Sequence, residues 1–396
     1  MIGWREVTLG DVATVSWGDT TKTKAAYTPA GVLAYSASGP DGYLPRADRH
    51  GAGVVISAIG AQCGKTWLAR GEWSCIKNTM WFQAGPEADT RFLYYATSDP
   101  AQWPKRGAAQ PFIGLGDARL LPLWLPPVEL QRQIASVLGA LDDRIENNGR
   151  RVEVLEEMAR TIYKEWFVYF RYPGHGGIPL VESPVGWIPD GWLAGTLGDL
   201  ASLERPNIQP ARTPAELFDH YSIPAFDDGQ RPASDSGASI KSGKYLLPGP
   251  AVLVSKLNPR INRVWLVEPA AGRRSVTSTE FLLLRPREVS SLEYLYLLTG
   301  NASFRDKLVA LSRGTTGSHQ RAKPNEFLSL PAVVPHTHLI DEFGVCVGDH
   351  LRLARRLRRE SDQLSALRDL LLPRLLSGKI DVSRLGLDAL TQAGVA

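Results

Sequence analysis

The sequence predicts a mixed α/β protein made by using one unit twice: an α/β domain and a long helix, then a second α/β domain and a second long helix. Three observations predict it. A ten-residue segment near the start recurs 188 residues later, further matches come after it in the same order, and each copy closes in a long run of heptad-spaced apolar residues. Self-similarity at a long period marks a repeated structural unit.

Trp4-Arg-Glu-Val-Thr-Leu-Gly-Asp-Val-Ala13 returns as Trp192-Leu-Ala-Gly-Thr-Leu-Gly-Asp-Leu-Ala201, with six identities in ten. Ser57 and Trp67-Leu68 match Ser255 and Trp265-Leu266 at offset 198, and Arg106-Gly107 matches Arg313-Gly314 at offset 207. Pro122, Pro126 and Leu130 match Pro331, Pro335 and Leu339 at offset 209. Offsets that only grow describe one ancestral unit duplicated, with insertions in the second copy.

Each copy opens with a stretch rich in Gly, Pro, aromatics and short strand-like runs, such as Val54 to Ser57 and Ala251 to Ser255. A Pro-bounded apolar strand comes next, from Leu120 to Pro126 or from Leu328 to Pro335. It leads into the helix. The first apolar seam runs Ile134, Leu138, Leu141, Ile145, Asn148, Val152, Leu155, Ala159, Ile162, Trp166, in steps of 4 and 3. That is a coiled-coil pattern. The equivalent positions are Phe343, Val347, His350, Ala354, Leu357, Ser361, Leu364, Arg368, Leu371 and Leu375, a weaker seam that Ser361 and Arg368 interrupt. A helix over 129–169 extends roughly 60 Å at 1.5 Å per residue, more than one globular domain needs. The other copy's helix is its expected partner, and the pair reads as a spacer. The packing positions expected to hold it are Leu138, Leu141, Ile145, Val152, Leu155, Ile162 and Trp166, with Leu357, Leu364, Leu371 and Leu375. Asn148 is either a register-setting polar residue within the seam or an exposed one. Residues 171–191 hold four Pro and five Gly, the composition of a linker.

Composition excludes several classes. With 396 residues and 43% hydrophobic content the chain can bury real cores. Its apolar runs are broken by Pro or charge well short of the ~20 residues that a bilayer needs. Trp4-Arg5-Glu6 interrupts any apolar stretch after Met1, so no signal peptide is expected. Cys63, Cys75 and Cys346 are too few and too scattered for a disulfide framework or a four-cysteine zinc site, which points to a reducing, cytoplasmic setting. The net charge is only +4, yet residues 200–330 carry 17 basic against 12 acidic side chains. Such local excess suits a polyanionic partner without demanding one.

Catalytic signatures fail. Gly60-Ala-Gln-Cys-Gly64-Lys65-Thr66 places three residues between its glycines where a phosphate-binding loop needs four. His336-Thr337-His338 suggests no third metal ligand. Asp142-Asp143 and Glu156-Glu157 are sequence neighbours on a helix, pointing about 100° apart, and are expected as solvated flank charges. The thiols have no base partner in sequence.

Binding chemistry is easier to find. Lys22, Lys24, Lys65 and Lys77 in the first copy, and Lys241, Lys244, Lys256, Arg260 and Arg263 in the second, are interleaved with Gly, Asn and aromatics. Such side chains hold phosphates, while amides, hydroxyls and imidazoles on the same loops read base edges. Two loops occupy equivalent places: one carries Arg106 and Gln110, the other Arg313, Thr315, Thr316, His319, Gln320, Arg321 and Lys323. A solvated turn is the competing reading for each.

Together these residues resemble a family over nearly the whole chain: the specificity (S) subunit of type I restriction-modification enzymes. The features that carry the resemblance are Trp4 to Ala13 and Trp192 to Ala201, and Leu125-Pro-Pro-Val-Glu-Leu-Gln-Arg-Gln-Ile134. Leu141-Asp-Asp-Arg-Ile-Glu-Asn-Asn148, Ile162-Tyr-Lys-Glu-Trp-Phe-Val168 and Leu371-Leu-Pro-Arg-Leu-Leu-Ser-Gly-Lys-Ile-Asp381 complete them. Pro335-His-Thr-His-Leu-Ile-Asp-Glu-Phe343 departs from the family's Glu-Gln pattern. The resemblance implies two pseudo-twofold-related target-recognition domains, 1–128 and 192–335, separated by two antiparallel coiled-coil helices in 129–171 and 336–385, with 172–191 as linker. It implies a non-catalytic subunit that binds no cofactor and reads a bipartite, asymmetric site in double-stranded DNA. It further implies two modification subunits carrying S-adenosylmethionine, and restriction/translocase subunits using ATP and Mg. Two rivals stay open: a coiled-coil scaffold joining protein-binding modules without DNA, and a stand-alone nuclease, which needs a carboxylate cluster the sequence does not suggest.

Overall fold

The computed structural model of the chain describes residues 3–311 and 323–382. The chain divides into two compact units, residues 1–149 with 358–396, and residues 150–357. Strands and helices mix in both, as the sequence predicts. Two 40-residue helices, α1 (Val128–Phe167) and α2 (Thr337–Leu376), each give one stretch to either unit.

In the first unit, strand Arg5–Thr8 pairs antiparallel with Pro122–Leu125, Arg5 opposite Leu125 and Thr8 opposite Pro122. The repeated Thr-Leu-Gly-Asp then turns the chain. Asp11 accepts from the Thr8 backbone N–H at 2.8 Å and from its hydroxyl at 2.7 Å, a capping box that starts the short helix Leu9–Val12. Leu9 and Val12 drop into the core. An antiparallel sheet comes next, in the order Ala13–Trp17, Thr79–Ala84, Gly53–Ser57, Thr66–Ala69. Gly53–Ser57 is buried at every position, so it reads as an unbroken apolar run rather than an alternating one. A second sheet has the order Gly39–Leu44, Val32–Ser36, Glu72–Cys75, Arg49–His50, its inner pair parallel.

The second unit repeats this plan. Leu193–Thr196 pairs with Pro331–Val334 in the same register, and Asp199 accepts from the N–H and hydroxyl of Thr196 at 2.7 and 2.9 Å. Its antiparallel sheet runs Ala201–Glu204, Phe281–Pro286, Ala251–Ser255, Val264–Val267, the same strand order. The other sheet runs Ala233–Ser236, Leu217–Tyr221, Ser275–Ser278, Lys244–Leu246, with Leu217–Tyr221 and Ser275–Ser278 parallel and a fifth strand, Asn207–Ile208, at its edge. The second copy is longest where residues 222–232, carrying the helix Ile223–Asp227, replace residues 37–38 of the first, and it gains the helix Ala302–Ala310 further on.

Within each unit the two long helices pack on each other and on the main core. In the first, Ile134, Leu138 and Leu375 join the cluster built on Leu9, Phe82 and Phe92, with Leu371 packed beside it. Leu141 is buried, and Ile145 and Leu364 are half-buried. In the second, Val152 and Leu357 share a cluster with Ala354, packed by Leu155. Further along, Phe167 meets Tyr294 at 4.7 Å and Phe343 at 4.9 Å between ring centroids, with Ile162 and Trp166 packed alongside. As α1 numbers rise their α2 partners fall, so the two stretches run antiparallel. At the His350 position it is the next residue, Leu351, that is buried, while Val347, Ala354 and Leu357 are buried at the expected positions. Asn148 is fully buried, and neither its amide nitrogen nor its amide oxygen has a partner among the described residues.

Of the two carboxylate pairs, Asp142-Asp143 is not a pair of free flank charges, whereas Glu157 is exposed on the helix flank beside Arg160. Asp142 accepts from the Tyr95 hydroxyl at 2.6 Å and from Arg368 at 2.9 Å, and Asp143 pairs with Arg91 and Arg70. Both anchor α1 where a neighbouring element brings a donor to the helix face.

Candidate nucleic-acid interface

In the first unit four loops meet beyond the strand ends. Backbone bonds tie them together: Asp19 N–H to Cys75 O at 2.8 Å, Lys77 N–H to Lys22 O at 3.1 Å, Ala58 N–H to Asn78 O at 3.0 Å, and Gly60 N–H to Pro111 O at 2.9 Å. Lys22, Lys65, Lys77, Arg106 and Gln110 therefore lie on one set of joined loops, with Lys24 on the adjoining turn Lys24–Ala26. Their charges are not equally available. The Lys22 ammonium lies 3.1 Å from both Asp19 and Asp48, and hydrogen bonds from the Thr21 hydroxyl and N–H hold the Asp19 carboxyl down at about 2. Lys24 is paired with Asp41 at 2.6 Å, and Arg106 with Asp117 at 2.6 Å. Lys65 stands 5.7 Å from the Trp67 ring, and neither it nor Lys77 has an acidic partner among the described residues.

The second unit builds the corresponding loop from Lys256 to Arg263. The Lys256 N–H bonds to Glu280 O at 3.0 Å, as that of Ala58 does to Asn78. The Arg263 guanidinium is locked to Asp227 by two bonds of 2.7 and 2.8 Å, whereas Arg260 is exposed and unpaired among the described residues. Lys241 is exposed on the turn before its strand, and Lys323 pairs with Glu326 at 3.2 Å. Lys244 differs from these: it is buried, donates to the Ser242 hydroxyl at 2.5 Å, and faces a cavity of about 870 Å³ shared with His220 and Asp235. Its strand points it inward, and burial lowers its pKa. His220 Nδ1 is 2.8 Å from Asp235, while its buried Nε2 has no partner among the described residues. Arg313, Thr315, Thr316, His319, Gln320 and Arg321 lie outside the described residues.

Little else on the described surface suggests chemistry. Burial pushes the Cys75 thiol up to about 12, which suits an inert packing residue. No group of three His, Cys, Asp or Glu side chains comes together to hold a metal, and no helix is long and apolar enough to cross a membrane, among the described residues. Sequence reasoning overlooked Gln62, which occupies the loop position of Arg260. The signal was present, because Ser57/Ser255 and Trp67/Trp265 share the offset 198 across both loops.

Comparisons with known proteins agree with this architecture. Residues 1–157 match the family model for the type I restriction modification DNA specificity domain. The chain is 24% identical over 340 residues to the type I restriction enzyme HindI specificity subunit of Haemophilus influenzae, covering 69% of this chain and 72% of that one. It is 34% identical over 99 residues to the MjaIX specificity subunit of Methanocaldococcus jannaschii, a match spanning 25% of this chain and only 22% of that relative. In fold it is similar to the crystal structure of a type I restriction-modification S subunit from M. genitalium, with a TM-score of 0.64 at 15% identity over 94% of this chain and 96% of that one. The chain is thus similar in sequence over residues 1–157, and in fold over most of its length, to the specificity subunits of type I restriction-modification enzymes.

Proposed function

We propose that this chain is the non-catalytic sequence reader of a cytoplasmic type I system, recognising a bipartite, asymmetric site in double-stranded DNA. Residues 1–128 and 192–335 each read one half, the helices of 129–171 and 336–385 fix the unread gap, and 172–191 link the copies. Two modification subunits carrying S-adenosylmethionine dock on the chain, and restriction/translocase subunits using ATP and Mg join them.

The observation that carries this reading is the duplicated loop: each unit closes it with corresponding backbone bonds, Ala58 to Asn78 and Lys256 to Glu280, and each set offers lysines with no ion-pair partner among the described residues, Lys65 and Lys77 in one and Lys256 in the other. Such cations supply phosphate affinity that falls with salt as counterions are released. The test is fluorescence anisotropy of labelled duplex DNA with this chain bound to its modification partner. Binding that weakens linearly in log salt supports the reading. Absent or salt-insensitive binding would favour a scaffold that joins protein-binding modules.

A further inference from the structure

We infer that Gln62 and Arg260 are equivalent base-reading side chains, Gln62 recognising an adenine in one half-site and Arg260 a guanine in the other. This deepens the proposed function and rests on it.

The two residues occupy the same place in two copies of one loop. Each loop is closed at its base by the same bond, Ser57 N–H to Lys65 O at 2.9 Å and Ser255 N–H to Arg263 O at 3.0 Å. Each turns at its third residue through a left-handed backbone, Gly60 at φ +99° and Asn258 at φ +49°. Left-handed geometry is common for Gly and tolerated by Asn, so the substitution preserves the turn. The same short bond then folds the tip, Cys63 N–H to Gly60 O at 3.0 Å and Ile261 N–H to Asn258 O at 2.9 Å. Gln62 and Arg260 lie between these anchors. Both are exposed, and neither side chain has a hydrogen-bond or ion-pair partner among the described residues.

Two rigid loops therefore present, at one shared position, the two side-chain types with the best geometric match to purines. A glutamine amide pairs bidentately with adenine N6 and N7, and an arginine guanidinium with guanine O6 and N7, both in the major groove. The surrounding residues already have other tasks. Arg263 is tied to Asp227, and the Asn262 amide donates to Gly300 O at 3.0 Å, so they brace the loop and leave its tip free.

The experiment co-expresses each variant with the modification partner and reads the methylated adenines across the host genome. Gln62→Ala is expected to relax one adenine position in one half of the motif by about 10- to 100-fold, the discrimination a bidentate pair supplies, while the other half stays intact. Arg260→Ala is expected to relax one guanine position in the opposite half. Gln62→Arg should convert its adenine preference to guanine, which loss of folding cannot mimic. An unchanged motif in all three variants would overturn the inference, and so would a weakening spread evenly over every position, the mark of phosphate contacts. Absence of any motif in the wild-type complex would instead remove the proposed function beneath it.

Discussion

Arg368 of α2 donates to Asp142 of α1 at 2.9 Å, at the position where the α2 apolar seam is interrupted. The interruption is an interhelix ion pair. Both side chains are about two-thirds or more buried, and the Tyr95 hydroxyl satisfies the second Asp142 oxygen. Truncating Arg368 to Ala leaves a carboxylate without its cation, and a loss of about 1–2 kcal/mol is expected, below the fully buried range because water still reaches the pair. Urea unfolding measures it, and Asp142→Asn in the same chain should recover part of the loss. Equal unfolding midpoints for wild type and Arg368→Ala would show that the pair adds nothing.

Asn148 makes the opposite prediction. Its amide is buried with neither polar atom partnered among the described residues, a state that costs about 1–3 kcal/mol. Asn148→Leu is expected to raise the unfolding midpoint while weakening the register preference that a single polar seam residue imposes. A lower midpoint would mean that the amide is satisfied in solution.

Salt dependence separates the basic residues by their internal partners. Lys65→Ala and Lys77→Ala should each reduce the slope of log affinity against log salt by about one, as expected for a lost phosphate contact. Lys24→Ala should change it less, because Asp41 already holds that ammonium. Equal slopes for all three variants would contradict this ordering.

Burial lowers the pKa of His220 below its usual 6.5, with Asp235 working against the shift and Lys244 adding to it. A group depressed in the folded state is protonated first in the unfolded chain, so its contribution is present above about pH 6.5 and lost as pH falls through that range. Stability measured between about pH 5 and 8 should fall less on the acid side in His220→Asn than in wild type. Identical pH profiles would show that His220 titrates normally.

Much of the fold was legible because repeated residues do repeated local work. Thr8-Leu-Gly-Asp11 and Thr196-Leu-Gly-Asp199 form the same capping box, and the pairs Ser57/Ser255 and Trp67/Trp265 bracket loops of equal length. The heptad seam located both helices. What was not legible depended on long-range partners. Nothing local reveals that Asp142 meets Arg368 across 226 residues, or that Lys244 turns inward beside His220 and Asp235. Lysine content marked the loops, but which charges remain available is decided by carboxylates such as Asp41, Asp48 and Asp117, far off in sequence.

The proposed sequence reading by the duplicated units is tested most directly by sequencing host DNA for methylated adenines after co-expression of the wild-type chain with the proposed modification partner. The expected result is a single motif of two short defined parts separated by a constant unread gap. A continuous motif, a gap of variable length, or no methylation from a soluble assembled complex would contradict it.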